Sequence, residues 1–187
     1  MHRVFIFLAP GFEDMEAIAT RDVLIRGGIG VFLVSCDEGY LVESSHGLGV
    51  MSDMMLEEIY NADVTEDDVL VFPGGMPGTK NLAANAELMD AMQQHWNDGG
   101  TVAAICAAPG LVASQLPGIE DLRFTCFEGF QDAMIARGAV YTPESTVTDG
   151  RLITGRGAGH AVAFGLAILE HLKGPEAAEK VKQGLML

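Results

Sequence analysis

The feature that most constrains this chain is a set of short aliphatic and β-branched runs at residues 4–8, 29–35, 69–72 and 101–105, which contain almost no polar alternation. A strand with one face in water alternates apolar with polar residues. Runs that are apolar throughout read as strands covered on both faces, which is the condition of a parallel sheet. The intervening segments agree. Over 13–26, Met15, Ala19 and Val23 recur every four residues with Ile18 and Ile25 on nearby faces, and Gly27-Gly28 stops the helix. A second crossover helix is expected at 84–97, closed by Gly99-Gly100. Strands alternating with helices predict an α/β three-layer sandwich: a mostly parallel sheet, helices on both faces, and a crevice at the carboxyl ends of the strands.

Elsewhere the pattern is coarser. Short strands are expected at 40–43 and 48–51, and a short helix at 54–60. Further strands are expected at 123–125, 147–148 and 152–154, then an apolar helix at 159–172 and a last helix ending near Gln183. No linker divides the chain, and its 187 residues suit one domain, 1–187.

Charge narrows the partners. With 26 acidic and 11 basic residues the net charge is −15, so the surface repels phosphate backbones and anionic lipid heads, and the basic residues do not cluster. The reading is therefore a small-molecule partner, with neither nucleic acid nor membrane. The longest uncharged stretch, 101–119, carries Pro109, Gly110, Ser114, Gln115 and Pro117, which would break and wet a spanning helix. Glu13, Asp14 and Glu16 interrupt what would otherwise resemble an export signal before Ala17-Ile18-Ala19. Cys36, Cys106 and Cys126 are odd in number and form no C-x-x-C pair, which disfavours a disulfide framework or a zinc knuckle and suits a reducing cytoplasm.

Three expected strand ends carry unusual residues. Cys106 follows the 101–105 run with almost no loop before a helix, a turn that pushes a side chain outward as a nucleophile elbow does, with a helix N-terminus behind it to favour a thiolate. A small buried hydrophobe is the alternative for a lone cysteine among alanines. Pro73-Gly74-Gly75 lets backbone N–H groups turn toward an anion, although any tight turn uses glycine and the Lys-Ser/Thr of a phosphate loop is missing. Glu16 falls in the first turns of the helix after the first strand. There it either points a proton-carrying carboxyl into the crevice or complements the helix dipole, a role that fits Glu13 and Asp14 better. Gly155-Arg156-Gly157-Ala158-Gly159-His160 nearly spells a dinucleotide fingerprint but ends in histidine and opens no further βαβ unit. His2, His46, His95, His160 and His171 have no metal-ligand spacing, so no metal is expected.

In combination, residues 11–16 (GFEDME), 71–75 (VFPGG), 103–109 (AAICAAP) and 154–159 (TGRGAG) resemble the ThiJ/PfpI superfamily, on its branch of Parkinson-associated protein deglycases, with matching order and spacing along nearly the whole chain. The resemblance implies a flavodoxin-like sandwich, a homodimer, and a site needing no cofactor. Its elbow cysteine is Cys106, its partner carboxyl Glu16, and its anion pocket is formed by the amides of Gly75 and Ala107 beside Gly74. It further implies activity on small reactive carbonyls, such as conversion of methylglyoxal to lactate, together with oxidative-stress protection. The alternative it implies is a redox sensor or redox-regulated chaperone working through cysteine sulfinate.

The chain departs from the family at two places. A histidine usual near the cysteine is replaced in Phe124-Thr125-Cys126-Phe127-Glu128, so that Cys126 stands in its place, available to resolve an oxidised Cys106 if the two approach. His46, in a segment that reaches toward the partner's site in similar dimers, is the candidate substitute imidazole. Ala107 directly after the cysteine, where protease-like branches have histidine, argues against peptide hydrolysis. The absence of a downstream His-x-Glu argues against a glutamine amidotransferase.

Overall fold

The four apolar runs become neighbouring strands of one sheet in the computed structural model, which describes residues 2–187. In chain order the first elements are β1 (Arg3–Leu8), α1 (Asp14–Arg26), β2 (Gly30–Ser35), β3 (Leu41–Glu43), β4 (Gly49–Met51) and β5 (Met54–Met55). A 3-10 turn at Leu56–Asn61 leads to β6 (Val69–Phe72), α2 (Gly78–Ala84), α3 (Ala86–Asn97), β7 (Thr101–Ile105) and α4 (Ala108–Leu111). The last third comprises β8 (Arg123–Phe124), α5 (Asp132–Ile135), β9 (Val140–Tyr141), β10 (Thr146–Asp149), β11 (Leu152–Gly155), α6 (Ala161–Lys173) and α7 (Pro175–Gly184). The seven-stranded sheet runs β10-β11-β7-β6-β1-β2-β5, parallel except for the β10 edge strand.

Both faces of the sheet are covered, as the runs of apolar residues require. Phe5, Phe7, Leu70 and Phe72 point into one core with Leu88, Met92 and Trp96 of α3. Val4, Ile6, Leu8, Val69 and Val71 point into the other, against Val23 and Leu24 of α1 and Phe164, Ile168 and Leu169 of α6. Each such side chain, fully withdrawn from water, contributes roughly 1.5–3 kcal/mol before the entropy of ordering is set against it. The order β2-β1-β6-β7-β11 places a topological switch point between β1 and β6, and ligand crevices of open α/β sheets form beyond the carboxyl ends of strands at such a point. Among the described residues no helix is long and apolar enough to cross a membrane.

One expected element differs in kind, and two are present with additions the sequence did not announce. The helix at 54–60 is instead the strand β5 followed by the 3-10 turn, because Met54 and Met55 extend the sheet beside Val34 and Ser35. The helix expected at 84–97 is α3, starting two residues later, and the unforeseen α2 precedes it. Asn85 leaves the helical region at ψ 100°, ends α2, and caps α3 by accepting the Leu88 N–H at 3.0 Å. The strand expected at 123–125 is β8, and it pairs with β9, which has too few residues to show any periodicity.

Candidate active site

The β1–α1 and β6–α2 connections meet at the switch point, and Cys106 stands beside them. Cys106 joins β7 to α4 with φ +65°, a left-handed conformation that L residues rarely adopt and that turns the side chain out of the sheet. Its backbone is held on both sides, the N–H donating to Gly155 O at 3.0 Å and the carbonyl accepting from Phe127 N at 2.8 Å. The tight turn expected from the sequence is therefore present.

Glu16 is brought against this sulfur. Glu13 caps α1, its carboxylate accepting the Glu16 N–H at 2.8 Å, and so orients the first turn with Glu16 facing inward, 1% exposed. Glu16 Oε2 accepts the Gly74 N–H at 2.7 Å, while Oε1 is buried with no hydrogen-bond partner among the described residues. Gly74 makes the approach possible: a Cβ there would lie 2.5 Å from Cys106 Cβ and 2.6 Å from Glu16 Oε2. Gly75, at φ +91°, is required for a similar reason, since its Cβ would lie 2.4 Å from the Glu13 nitrogen. These two glycines serve closeness of backbone to side chain, beyond the mere turning of a loop.

Electrostatics follow from burial without a cation. Burial pushes the Glu16 carboxyl up to about 7, with the Gly74 amide and Cys106 acting against it. Burial, then the Glu16 charge and hydrogen bonding, push Cys106 up to about 12. With Glu16 raised to about 7 and Cys106 to about 12, the contacting pair carries a single negative charge between those values. The sequence-based expectation of a thiolate favoured by a helix dipole is thus altered. The helix behind Cys106 is only four residues long, and the groups that lower the cysteine are two amides, those of Ala107 and Gly75. When Glu16 holds the proton, its repulsion of the thiolate becomes hydrogen-bond donation, and those two amides are already aimed at the sulfur.

The two accessory residues have partners of their own. Cys126 is fully buried in the core that contains Phe124 and Ala113, whereas Cys106 packs with the core of the opposite face. Its thiol takes a hydrogen bond from the Phe130 amide, and burial pushes it up to about 11. The following residue, Phe127, donates its N–H to the Cys106 carbonyl at 2.8 Å, so the Cys126 backbone runs beside Cys106 while its thiol is buried. His46 is bound by Asp14 of its own chain, and Ser44 Oγ donates to the same carboxylate. Opposite charge fixes this pairing: the neighbouring Asp14 raises the His46 pKa, while Ser44 and His46 lower that of Asp14. The Ser44–Asp14–His46 group lies 30 or more residues apart in sequence, and no spacing signal foretold it. The donor atoms of Glu13, Asp14 and His46 fall within 4.8 Å of one another, the only such grouping among the described residues, but Asp14 and His46 engage each other and Glu13 caps the helix.

Fold and site together define a class: an open α/β sandwich whose elbow cysteine meets a buried glutamate at the switch point. The chain belongs to the DJ-1/PfpI family, whose family model matches residues 2–171. Protein dj-1beta of Drosophila melanogaster is 33% identical over 183 residues, covering 97% of this chain and 95% of that protein. The glutathione-independent glyoxalase DJR-1.2 of Caenorhabditis elegans is 33% identical over 175 residues, covering 94% of this chain and 90% of that protein. A crystal structure of a mutant of the DJ-1 superfamily protein STM1931 from Salmonella typhimurium superposes with a TM-score of 0.90 at 32% identity, covering 100% of this chain and 98% of that one.

Proposed function

We propose that the chain is a cofactor-independent, cysteine-dependent enzyme acting on small reactive carbonyls, of the glyoxalase or deglycase kind, with methylglyoxal as the test substrate. The observation that carries the reading is the buried Glu16 carboxyl beside Cys106, with one oxygen unpartnered and a proton that leaves near neutrality. Cys106 sulfur adds to the aldehyde carbon, and the oxygen gains the proton to give a hemithioacetal. Glu16, as carboxylate, then takes the hydrogen from that carbon as a proton and returns one to the former ketone carbon. This leaves a thioester, and water hydrolyses it to lactate and the free thiol, so the net change is addition of one water. The amides of Gly75 and Ala107 hold the oxygen on which charge develops. Relatedness to a glyoxalase supports the choice of substrate.

Lactate production from methylglyoxal by the reduced protein is the test. Turnover is expected to vanish in Cys106→Ala and to fall about 10²–10⁴-fold in Glu16→Gln, the usual span for a lost acid–base group. A folded, reduced protein that makes no lactate overturns the enzyme reading. It would favour the second one, a peroxide sensor in which a sulfinate on Cys106 is held by the Gly75 and Ala107 amides and by protonated Glu16.

The protein acts as a homodimer in the cytoplasm in this proposal. Support for the dimer comes from exposed apolar side chains: Met15 of α1 and the paired Leu41 and Met51 of the β3–β4 hairpin are 55%, 59% and 66% exposed. Ser44, in the loop of that hairpin, donates to Asp14 of α1.

A further inference from the structure

The sheet face that carries α2 and α3, opposite α1, has a groove that shares no residue with the Cys106 site. It lies between α3 and the segment leading into β6, with a volume of about 480 Å³, in the range of small-molecule sites, roughly 300–1,000 Å³. Its floor is Phe7, Ile59 and Leu70, each less than a tenth exposed. Its rim carries Asp63, Glu66 and Asp98, all exposed, and no lysine or arginine lines it.

The walls are held in place. Arg3 donates to the carbonyls of Ala62 at 2.7 Å and Asp63 at 2.8 Å, and it grips Asp68, which in turn accepts the Thr65 N–H at 2.9 Å. Across the groove, Arg151 lies 4.1 Å over the Trp96 ring and donates to Trp96 O at 3.0 Å. The buried His95 ring sits 3.2 Å from the Thr101 carbonyl, which fixes the last turn of α3. Arg3 spends its donors on Asp68 and two carbonyls and offsets part of the Asp63 charge, and Gln94 donates to both oxygens of Asp98. The rim still holds three carboxylates and no lysine or arginine, and over an apolar floor this excess disfavours an anion, gives a neutral ligand only its apolar contact, and rewards a cation with an apolar body.

We propose that this groove binds a small organic amine, its hydrocarbon part on Phe7, Ile59 and Leu70 and its ammonium among Asp63, Glu66 and Asp98. The proposal stands independently of the carbonyl chemistry at Cys106.

Calorimetric titration of the full chain with 2-phenylethylamine, 2-phenylethanol and 3-phenylpropionate tests it, since the three probes differ mainly in the charge of one group. The amine is expected to bind at least tenfold more tightly than either of the others, and its affinity should fall as salt rises. Ala91, half-buried in the wall, offers a plug. Ala91→Phe should abolish binding, Asp98→Asn and Glu66→Gln should each weaken it about threefold or more, and Cys106→Ala should leave it unchanged. Equal binding of all three probes, binding of none, or loss of binding in Cys106→Ala would overturn the proposal. Should Ala91→Phe fail to fold, the two rim variants decide, and an unchanged affinity in both sinks it.

Discussion

Glu16 and Asp68 are each 1% exposed, and burial acts on both in the same sense, yet their carboxyls end on opposite sides of the ordinary value. Asp68 receives a guanidinium and the amides of Arg3 and Thr65, and it is lowered. Glu16 receives one amide and a thiol but no cation, and it rises to about 7. Burial alone therefore does not mark a functional acid. What distinguishes the two is whether the surroundings supply positive charge. Where they do, the carboxylate holds the β1 terminus to the segment before β6; where they do not, the proton stays mobile.

The comparison breaks most sharply if Asp68 is made to resemble Glu16. Arg3→Met strands a buried carboxylate and should cost about 4 kcal/mol, the scale of a broken buried pair, measured by urea unfolding at pH 7. Asp68 should then titrate upward, visible in its carboxyl chemical shift. Gly74→Ala tests the other member, because its Cβ would enter the space between Cys106 and Glu16. A loss of about 2–3 kcal/mol is expected from the overpacking, with turnover falling further than stability accounts for.

Glu16→Gln sharpens the contrast through pH. Folded Glu16 binds its proton more tightly than the unfolded chain, whose value is 4.5, so its contribution is present in full below that value and is lost as pH rises through about 7. Glutamine still accepts from Gly74 without charge, so the variant should be about 2 kcal/mol more stable than the parent at pH 8 and no more stable at pH 4. For Asp68 the sign reverses: its contribution is present above the unfolded value of 3.8 and disappears as pH falls through the lowered folded value. The smallest effect belongs to His95 and His171, both lowered chiefly by burial. In the Glu16→Gln background, stability should fall as pH drops below the unfolded value of 6.5 and level off below the folded ones. A flat profile there would show that neither ring resists its charge.

The strands buried on both faces were legible because β1, β6 and β7 have no polar face to blur the signal. The same burial made the site readable, since unusual residues at the ends of such strands had few other reasons to be there. Short elements escaped. β5 and β9 have two residues each, too few for periodicity, and become strands only because a longer neighbour offers hydrogen bonds. The seven-residue α2, which ends before Asn85, also escaped, whereas the start of α3 is set by Asn85, whose side chain accepts the Leu88 N–H. Partnerships across the sequence were the least visible: nothing local joins His46 to Asp14, or sends Cys126 to the core opposite Cys106. The cysteine's titration was also misjudged: the helix start and the Glu16 carboxyl were legible, but the four-residue length of that helix and the depth of burial were not.

Gly74 and Gly75 line the site with peptide groups in place of side chains, and this bears on how such a site changes over time. The donors that face Cys106 are encoded by the course of the chain, so drift in side-chain identity around them leaves their placement intact. Side-chain changes at the rim, at positions such as Phe127, which is 51% exposed and rests against Gly157, would leave those amides where they are. A designer seeking new substrates would vary that rim and leave the two loops alone.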